Sequence, residues 1–234
     1  MAGAAQSLLG SVIPPPTRFA VAGLSMGGYV ALASAGLQPS RLAGLALVNT
    51  QSKADSAEVR KRREGQIEAV GASGSLRSVL VAQAGLLLHP RHLPPDVPAA
   101  VAALEEEEEG RAPTARDSPF EGFVRGALSC GARAFVQQQR CIMSREDTSA
   151  ALGLLRDRGV PMLALTGTHD ALIPHKVCRD LWEAMGQCGG GGAVVVEECG
   201  HLSPLECPEA VAAALAEWIA RVDAAEARRE RASP

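Results

Sequence analysis

The stretch Arg18-Phe19-Ala20-Val21-Ala22-Gly23-Leu24-Ser25-Met26-Gly27-Gly28 begins as an uninterrupted apolar run and ends in a G-x-S-x-G pattern. Arg18 to Leu24 has the length and continuous hydrophobicity of a strand buried on both faces, and Gly27 to Ala35 continues as a helix. A serine between such elements is forced into a tight turn. The glycines two residues to either side then let strand and helix pass close together. Ser25 projects from the sheet edge in this reading. The helix behind it aims its free N–H groups, that of Met26 first, at the place where negative charge develops on a carbonyl oxygen attacked by Ser25.

A serine hydroxyl is a weak nucleophile at neutral pH, so a base and an orienting acid are expected further along. Asp170 stands in Leu165-Thr166-Gly167-Thr168-His169-Asp170, directly after the apolar run Val160 to Leu165. His201 stands in Cys199-Gly200-His201-Leu202-Ser203-Pro204, directly after the run Ala193 to Glu197. With Leu42 to Val48 these runs make four strands, and Lys176 to Met185 and Pro208 to Arg221 read as helices between and after them. Strand–helix alternation gives an α/β domain with a parallel sheet, in which ligands bind at the carboxyl ends of the strands. Ser25, Asp170 and His201 all stand at such ends.

In these strings the chain resembles the α/β-hydrolase fold, whose triad follows the order serine, acid, histidine. The resemblance covers about Arg18 to Asn49 and Val160 to Val222, through G-L-S-M-G-G, G-x-x-D-x-x-x-P and G-H-x-x-x-x-E-x-P. Asn49-Thr50 followed by Ala54-Asp55 and Arg60 to Arg63 is similar to small esterases and lactonases near the 3-oxoadipate enol-lactonase group. The resemblance implies an open parallel sheet with a helical cap. It also implies early strands ahead of the nucleophile turn, and only 24 residues precede Ser25. The expectation is therefore a chain shortened at its N-terminus, with the early strands missing. Its edge strand would invite self-association, and it would have one oxyanion donor, Met26, because no His-Gly pair precedes Ser25.

The domain organisation expected is residues 1–49 as the first part of the core, 50–159 as a helical cap insertion, 160–222 as the second part of the core and 223–234 as a charged tail. Within the insertion, Asp55 to Val70 reads as a helix with Asp55 as its N-cap, followed by helices over Leu76 to Leu88 and Phe120 to Met143. Pro90 to Pro98 reads as a loop, and Glu105 to Glu109 as a solvated acidic run. Gly189 to Gly192 lacks a following G-K-[ST] and reads as a connector. Glu226 to Pro234 reads as a frayed end.

Composition sets the boundaries of function. The chain has 234 residues, 47% hydrophobic, with a formal net charge of -3, so neither nucleic acid nor an anionic membrane is an expected partner. Aromatics at 3% supply few stacking platforms. Cys130, Cys141, Cys178, Cys188, Cys199 and Cys207 form no C-x-x-C pair, and no targeting segment stands out, so reduced thiols and a cytoplasmic location are expected. Cys199 and Cys207 flank His201, but Ser25 is the better-placed nucleophile. His169, His175, His89 and His92 read as supporting or loop residues; no regular element sets His169, Asp170 and His175 as metal ligands. The reading is a hydrolase that uses Ser25, Asp170 and His201 on a small-molecule acyl substrate, a carboxylic ester, lactone or related compound, with no metal and no organic cofactor. The alternatives are a hydrolase-like binding module and an acyltransferase or thioesterase.

Overall fold

The computed structural model describes residues 1–107, 111–186 and 192–232. Four strands, β1 (Phe19–Leu24), β2 (Leu42–Val48), β3 (Met162–Gly167) and β4 (Ala193–Val196), form one sheet in the order β1-β2-β3-β4, with every neighbouring pair parallel. Their carboxyl ends therefore share one edge.

The two central strands, β2 and β3, are buried at every position and alternate their side chains between two covered faces. The edge strands β1 and β4 keep exposed positions such as Ala20, Ala22 and Val195, and so depart from the two-sided burial expected of all four. Leu45 and Leu47 of β2 and Met162 and Ala164 of β3 point into one core. That core is closed by α2 (Met26–Leu37), α7 (Ser149–Asp157) and α8 (His175–Met185), and by Leu9, in the π-turn that follows α1 (Ala2–Ser7). Ala46, Val48, Leu163 and Leu165 point into a second core, where Val211, Trp218 and Val222 of α10 (Pro208–Ala232) pack against them. Two-sided burial is why β2 and β3 read as continuous apolar runs rather than alternating ones. Gly44 keeps α10 close: a Cβ there would lie 2.4 Å from Val222 Cγ2. Trp218 Nε1 donates to Pro161 O at 3.1 Å and fixes the crossing.

Between β2 and β3 the described residues carry helices and no strand: α3 (Ala57–Ser73), α4 (Arg77–Leu87), α5 (Val97–Glu106) and α6 (Pro119–Met143), then α7. Helices α3 to α6 share a core of their own that includes Val70, Leu80, Leu87, Val101, Leu104 and Phe123. Ser118 opens α6 with a reciprocal capping box to Glu121, and Gly131 (φ 78°) kinks it. A short helix, α9 (Ser203–Glu206), precedes α10.

Several local expectations are corrected. Ser56, not Asp55, caps α3, because Asp55 is committed to Arg63 and Arg145. Asp96 caps α5, whose Val97-Pro98 start places proline in the first turn, so part of the proline-rich loop is helix. Glu105 accepts from Ser75 Oγ at 2.7 Å and Arg77 Nε at 2.6 Å, and Glu107 pairs with Arg125. The first acids of the run are thus partnered, while Glu108 and Glu109 lie outside the described residues, as do Cys188 and Gly189 to Gly191. The end read as frayed is helical through Ala232, with Glu226 gripping Arg18 Nε at 2.6 Å and Nη2 at 2.7 Å. Among the described residues no helix is long and apolar enough to cross a membrane.

Candidate active site

The turn after β1 holds Ser25 at φ 49°, ψ -111°, a region that non-glycine residues rarely occupy. The turn is held from several sides: Ser25 N donates to Val48 O at 2.9 Å, and Ser25 O accepts from Gly28 N at 3.0 Å and Thr50 Oγ1 at 2.8 Å. A Cβ on Gly23 would lie 2.3 Å from the Gly27 carbonyl, and one on Gly28 would lie 2.5 Å from the Thr50 side chain. Gly27 meets nothing within 4 Å. The close approach expected of both motif glycines thus needs the absent side chain at Gly23 and at Gly28, whereas at Gly27 only the backbone is in contact. Ser25 is the N-cap position of α2, so Met26 is its first helical residue, and the first N–H groups of a helix have no intrahelical acceptor.

Asp170 follows β3 and His201 follows β4, and the structure brings both to Ser25. His201 Nε2 lies 2.8 Å from Ser25 Oγ, and His201 Nδ1 lies 2.8 Å from Asp170 Oδ2. His201 is 1% exposed and Asp170 4%. The other Asp170 oxygen, Oδ1, accepts from Leu172 N at 3.0 Å and Ile173 N at 2.7 Å, and Asn49 Nδ2 reaches Oδ2 at 2.9 Å. A carboxylate that accepts this many N–H groups is held firmly in place. An absent Cβ is needed again at the end of β3: on Gly167, its last residue, it would lie 2.2 Å from Cys199 O, so the strand end leading to Asp170 touches the loop that carries His201 through backbone.

Ser25 and His201 open on a cavity of about 570 Å³. Its walls come from α3, α4 and α6 and are largely apolar, with Leu80, Leu86, Leu87, Phe123 and Phe135 among them. One corner is polar: Asp55 Oδ2 accepts from Arg63 Nε at 2.9 Å, Asp55 Oδ1 forms an ion pair with Arg145 Nη1 at 2.7 Å, and Arg63 Nη1 donates to Gln139 Oε1 at 2.6 Å. The Arg145 guanidinium lies 4.3 Å from the Tyr29 ring centre. Burial pushes the Tyr29 phenol above its ordinary value, with Arg145 opposing, and burial lowers Arg63, with Asp55 opposing.

His169 is exposed, does not line the cavity and packs edge-on against His89, ring centres 4.2 Å apart. His89, His169 and Glu198 each present a ligand atom within 4.8 Å of the others, a different set from His169, Asp170 and His175. His89 Nδ1 accepts from Arg91 N at 3.1 Å, and His89 Nε2 lies 3.3 Å from Glu198 Oε2. Cys199 is buried, which raises its thiol pKa and leaves it a poor nucleophile. Sequence reasoning did not assign roles to Asn49 or Glu206. Both stood inside quoted strings, but their partners are remote in sequence.

Comparison with known proteins bears on the family and the fold. An esterase from Thermogutta terrifontis, solved with malate bound, shares 27% identity over 88% of this chain and 66% of its own, with a TM-score of 0.66. This chain therefore spans just under two thirds of that esterase. An esterase from Exiguobacterium antarcticum (17% identity, 94% of this chain, 72% of its own, TM-score 0.65) and the enol-lactonase from Burkholderia xenovorans (19%, 94%, 71%, 0.65) share the fold. Among curated proteins none matches the sequence. A family model described as the alpha/beta hydrolase family matches residues 2–214, and the chain belongs to that family.

Proposed function

We propose that the chain is a serine hydrolase that cleaves a carboxylic ester, lactone or related acyl compound. The reading is carried by the continuous chain Ser25 Oγ, His201, Asp170, with both links at 2.8 Å. His201 Nε2 accepts the Ser25 proton as Oγ attacks the carbonyl carbon. Asp170 accepts a hydrogen bond from His201 Nδ1–H without taking the proton, which fixes the tautomer that leaves Nε2 free to act as base. The Met26 N–H faces the developing oxyanion. His201 then returns the proton to the departing alcohol oxygen, leaving an acyl group on Ser25. A water deprotonated by His201 attacks that acyl carbon, and the acid leaves as Oγ recovers its proton.

The apolar cavity walls suit the hydrocarbon part of an acyl substrate. The esterase at 27% identity supports ester chemistry for this chain. The test is a fluorophosphonate probe on the wild-type chain and on Ser25→Ala, together with hydrolysis of a p-nitrophenyl ester. Labelling and turnover in the wild type, both absent in Ser25→Ala, are expected. An unlabelled wild type, or turnover retained in Ser25→Ala, overturns the reading.

A further inference from the structure

His201 lies on a loop between β4 and α9, so its own element does not fix it. What does fix it is main-chain hydrogen bonding to a neighbouring helix and to one carboxylate. His201 N and Leu202 N both donate to Leu87 O, at 2.9 and 3.2 Å. Leu87 is the last residue of α4. The Glu206 side chain is buried at 7% exposure, and its oxygens accept three backbone N–H groups. Oε2 accepts from His89 N at 2.7 Å and Gly200 N at 3.1 Å, and Oε1 from Leu202 N at 3.1 Å.

The placement of those three donors gives the carboxylate its meaning. Gly200 and Leu202 are the residues on either side of His201, and His89 continues the chain just beyond α4. The fit is close on every side, since a Cβ on Gly200 would lie 2.7 Å from His89 N and 2.8 Å from Glu206 Oε1. Hydrogen bonds to an ionised acceptor are roughly twice as strong as neutral ones, so three of them in a buried place make a stiff tie. The helix on the other end of the tie is itself a wall of the cavity, through Val79, Leu80, Gln83, Leu86 and Leu87.

We infer that Glu206 is a positioning residue for His201: its carboxylate grips the backbone on both sides of the histidine and joins that loop to the cavity wall of α4. The inference rests on the serine-hydrolase reading above. Base catalysis depends steeply on the Oγ to Nε2 geometry, whereas ground-state binding in the cavity does not. Glu206→Gln keeps the side-chain shape but offers one acceptor oxygen and turns an amide NH2 toward backbone N–H groups.

The experiment compares kcat, KM and the rate of fluorophosphonate labelling for wild type and Glu206→Gln on the same p-nitrophenyl ester, with folding checked by circular dichroism. We expect kcat and the labelling rate to fall together by about tenfold or more, with KM within about threefold of wild type. A folded Glu206→Gln with wild-type kcat overturns the inference and leaves the serine-hydrolase reading intact. A wild-type chain that is not labelled overturns that reading instead, and this control does not involve Glu206. Should Glu206→Gln fail to fold, amide hydrogen exchange on the wild type decides. The N–H groups of His89, Gly200 and Leu202 should be protected and open together, and rapid or independent exchange of Gly200 and Leu202 overturns the tie.

Discussion

Asn49 Nδ2 donates to Asp170 Oδ2 at 2.9 Å, the same oxygen that faces His201 Nδ1 at 2.8 Å. Asn49 also gives a hydrogen bond to Gly200 O at 3.2 Å and receives one from Ser203 Oγ at 2.6 Å, so one buried amide spans the ends of β2, β3 and β4. Its backbone sits at φ 45°, a left-handed conformation that asparagine tolerates better than most residues. Asn49→Ala should leave three buried polar groups, Asp170 Oδ2, Gly200 O and Ser203 Oγ, without this partner and cost about 1–3 kcal/mol in urea denaturation. Asn49→Asp should instead set a second carboxylate against Asp170. The added negative charge favours protonated His201, so the acid limb of the pH–rate profile should move to higher pH. A profile unmoved in Asn49→Asp would mean that this amide does not touch the charge balance of the triad.

The turn glycines should separate cleanly by position. Gly23→Ala drives a Cβ to 2.3 Å from the Gly27 backbone, where no flexible side chain can yield, and Gly28→Ala presses on Thr50 at 2.5 Å. Overpacking of this kind costs about 1–3 kcal/mol and displaces the turn, so both variants should lose stability and Ser25 labelling. Gly27→Ala meets nothing within 4 Å and sits in helix α2, where alanine is favoured over glycine by about 0.8–1.0 kcal/mol. Thermal melts of the three variants check the order, and a Gly27→Ala as damaged as Gly23→Ala would show that the open space there is used.

The buried cluster at the polar corner of the cavity should prove fragile in one direction. Asp55 is 1% exposed at its side chain and faces two guanidinium groups, Arg63 at 12% and Arg145 at 4%. Asp55→Ala leaves both cations without their carboxylate, a change that typically costs about 3–5 kcal/mol. A double variant that also removes a cation, Asp55→Ala with Arg63→Leu, should recover part of that loss because less buried charge is stranded. Urea denaturation of wild type, Asp55→Ala, Arg63→Leu and the double variant reads this directly, and additive losses would exclude the coupling.

The elements legible in the sequence were those whose signal is local. β2 is apolar on both faces and bounded by turns, so Leu42 to Val48 reads as a strand from end to end. Ser25, Asp170 and His201 were legible as well, because each follows such a strand directly. What stayed hidden depends on contacts distant in the chain. Asp55 looks like a helix cap until Arg145 is folded against it, and Glu226 looks like part of a loose end until Arg18 is brought to it. Helix α5 was obscured by Pro98, a residue that breaks a helix interior but suits a first turn. The role of Glu206 lay furthest out of reach, since two of its three donors flank the catalytic candidate and the third arrives from residue 89.

The last expectation concerns acid. Asp147 is held at about 2, below the ordinary 3.8, by hydrogen bonds from the Ser149 side chain and backbone and from Lys53. Ser149 N donates to Oδ1 at 2.8 Å at the start of α7, and Lys53 Nζ to Oδ2 at 3.0 Å. A carboxyl group whose folded pKa is depressed adds stability that is fully present above its unfolded value, here pH 3.8, and is lost as the pH falls through about 2. The side chain is 49% exposed, so solvent and salt screen much of this, and the contribution should be under about 1 kcal/mol. Asp147→Asn should therefore melt slightly below wild type at pH 7, and the gap should close between pH 4 and pH 2. The two melting curves recorded across that interval are the check. A gap that persists unchanged at pH 2 would assign the loss to the shape of the side chain at the α7 start and not to its charge.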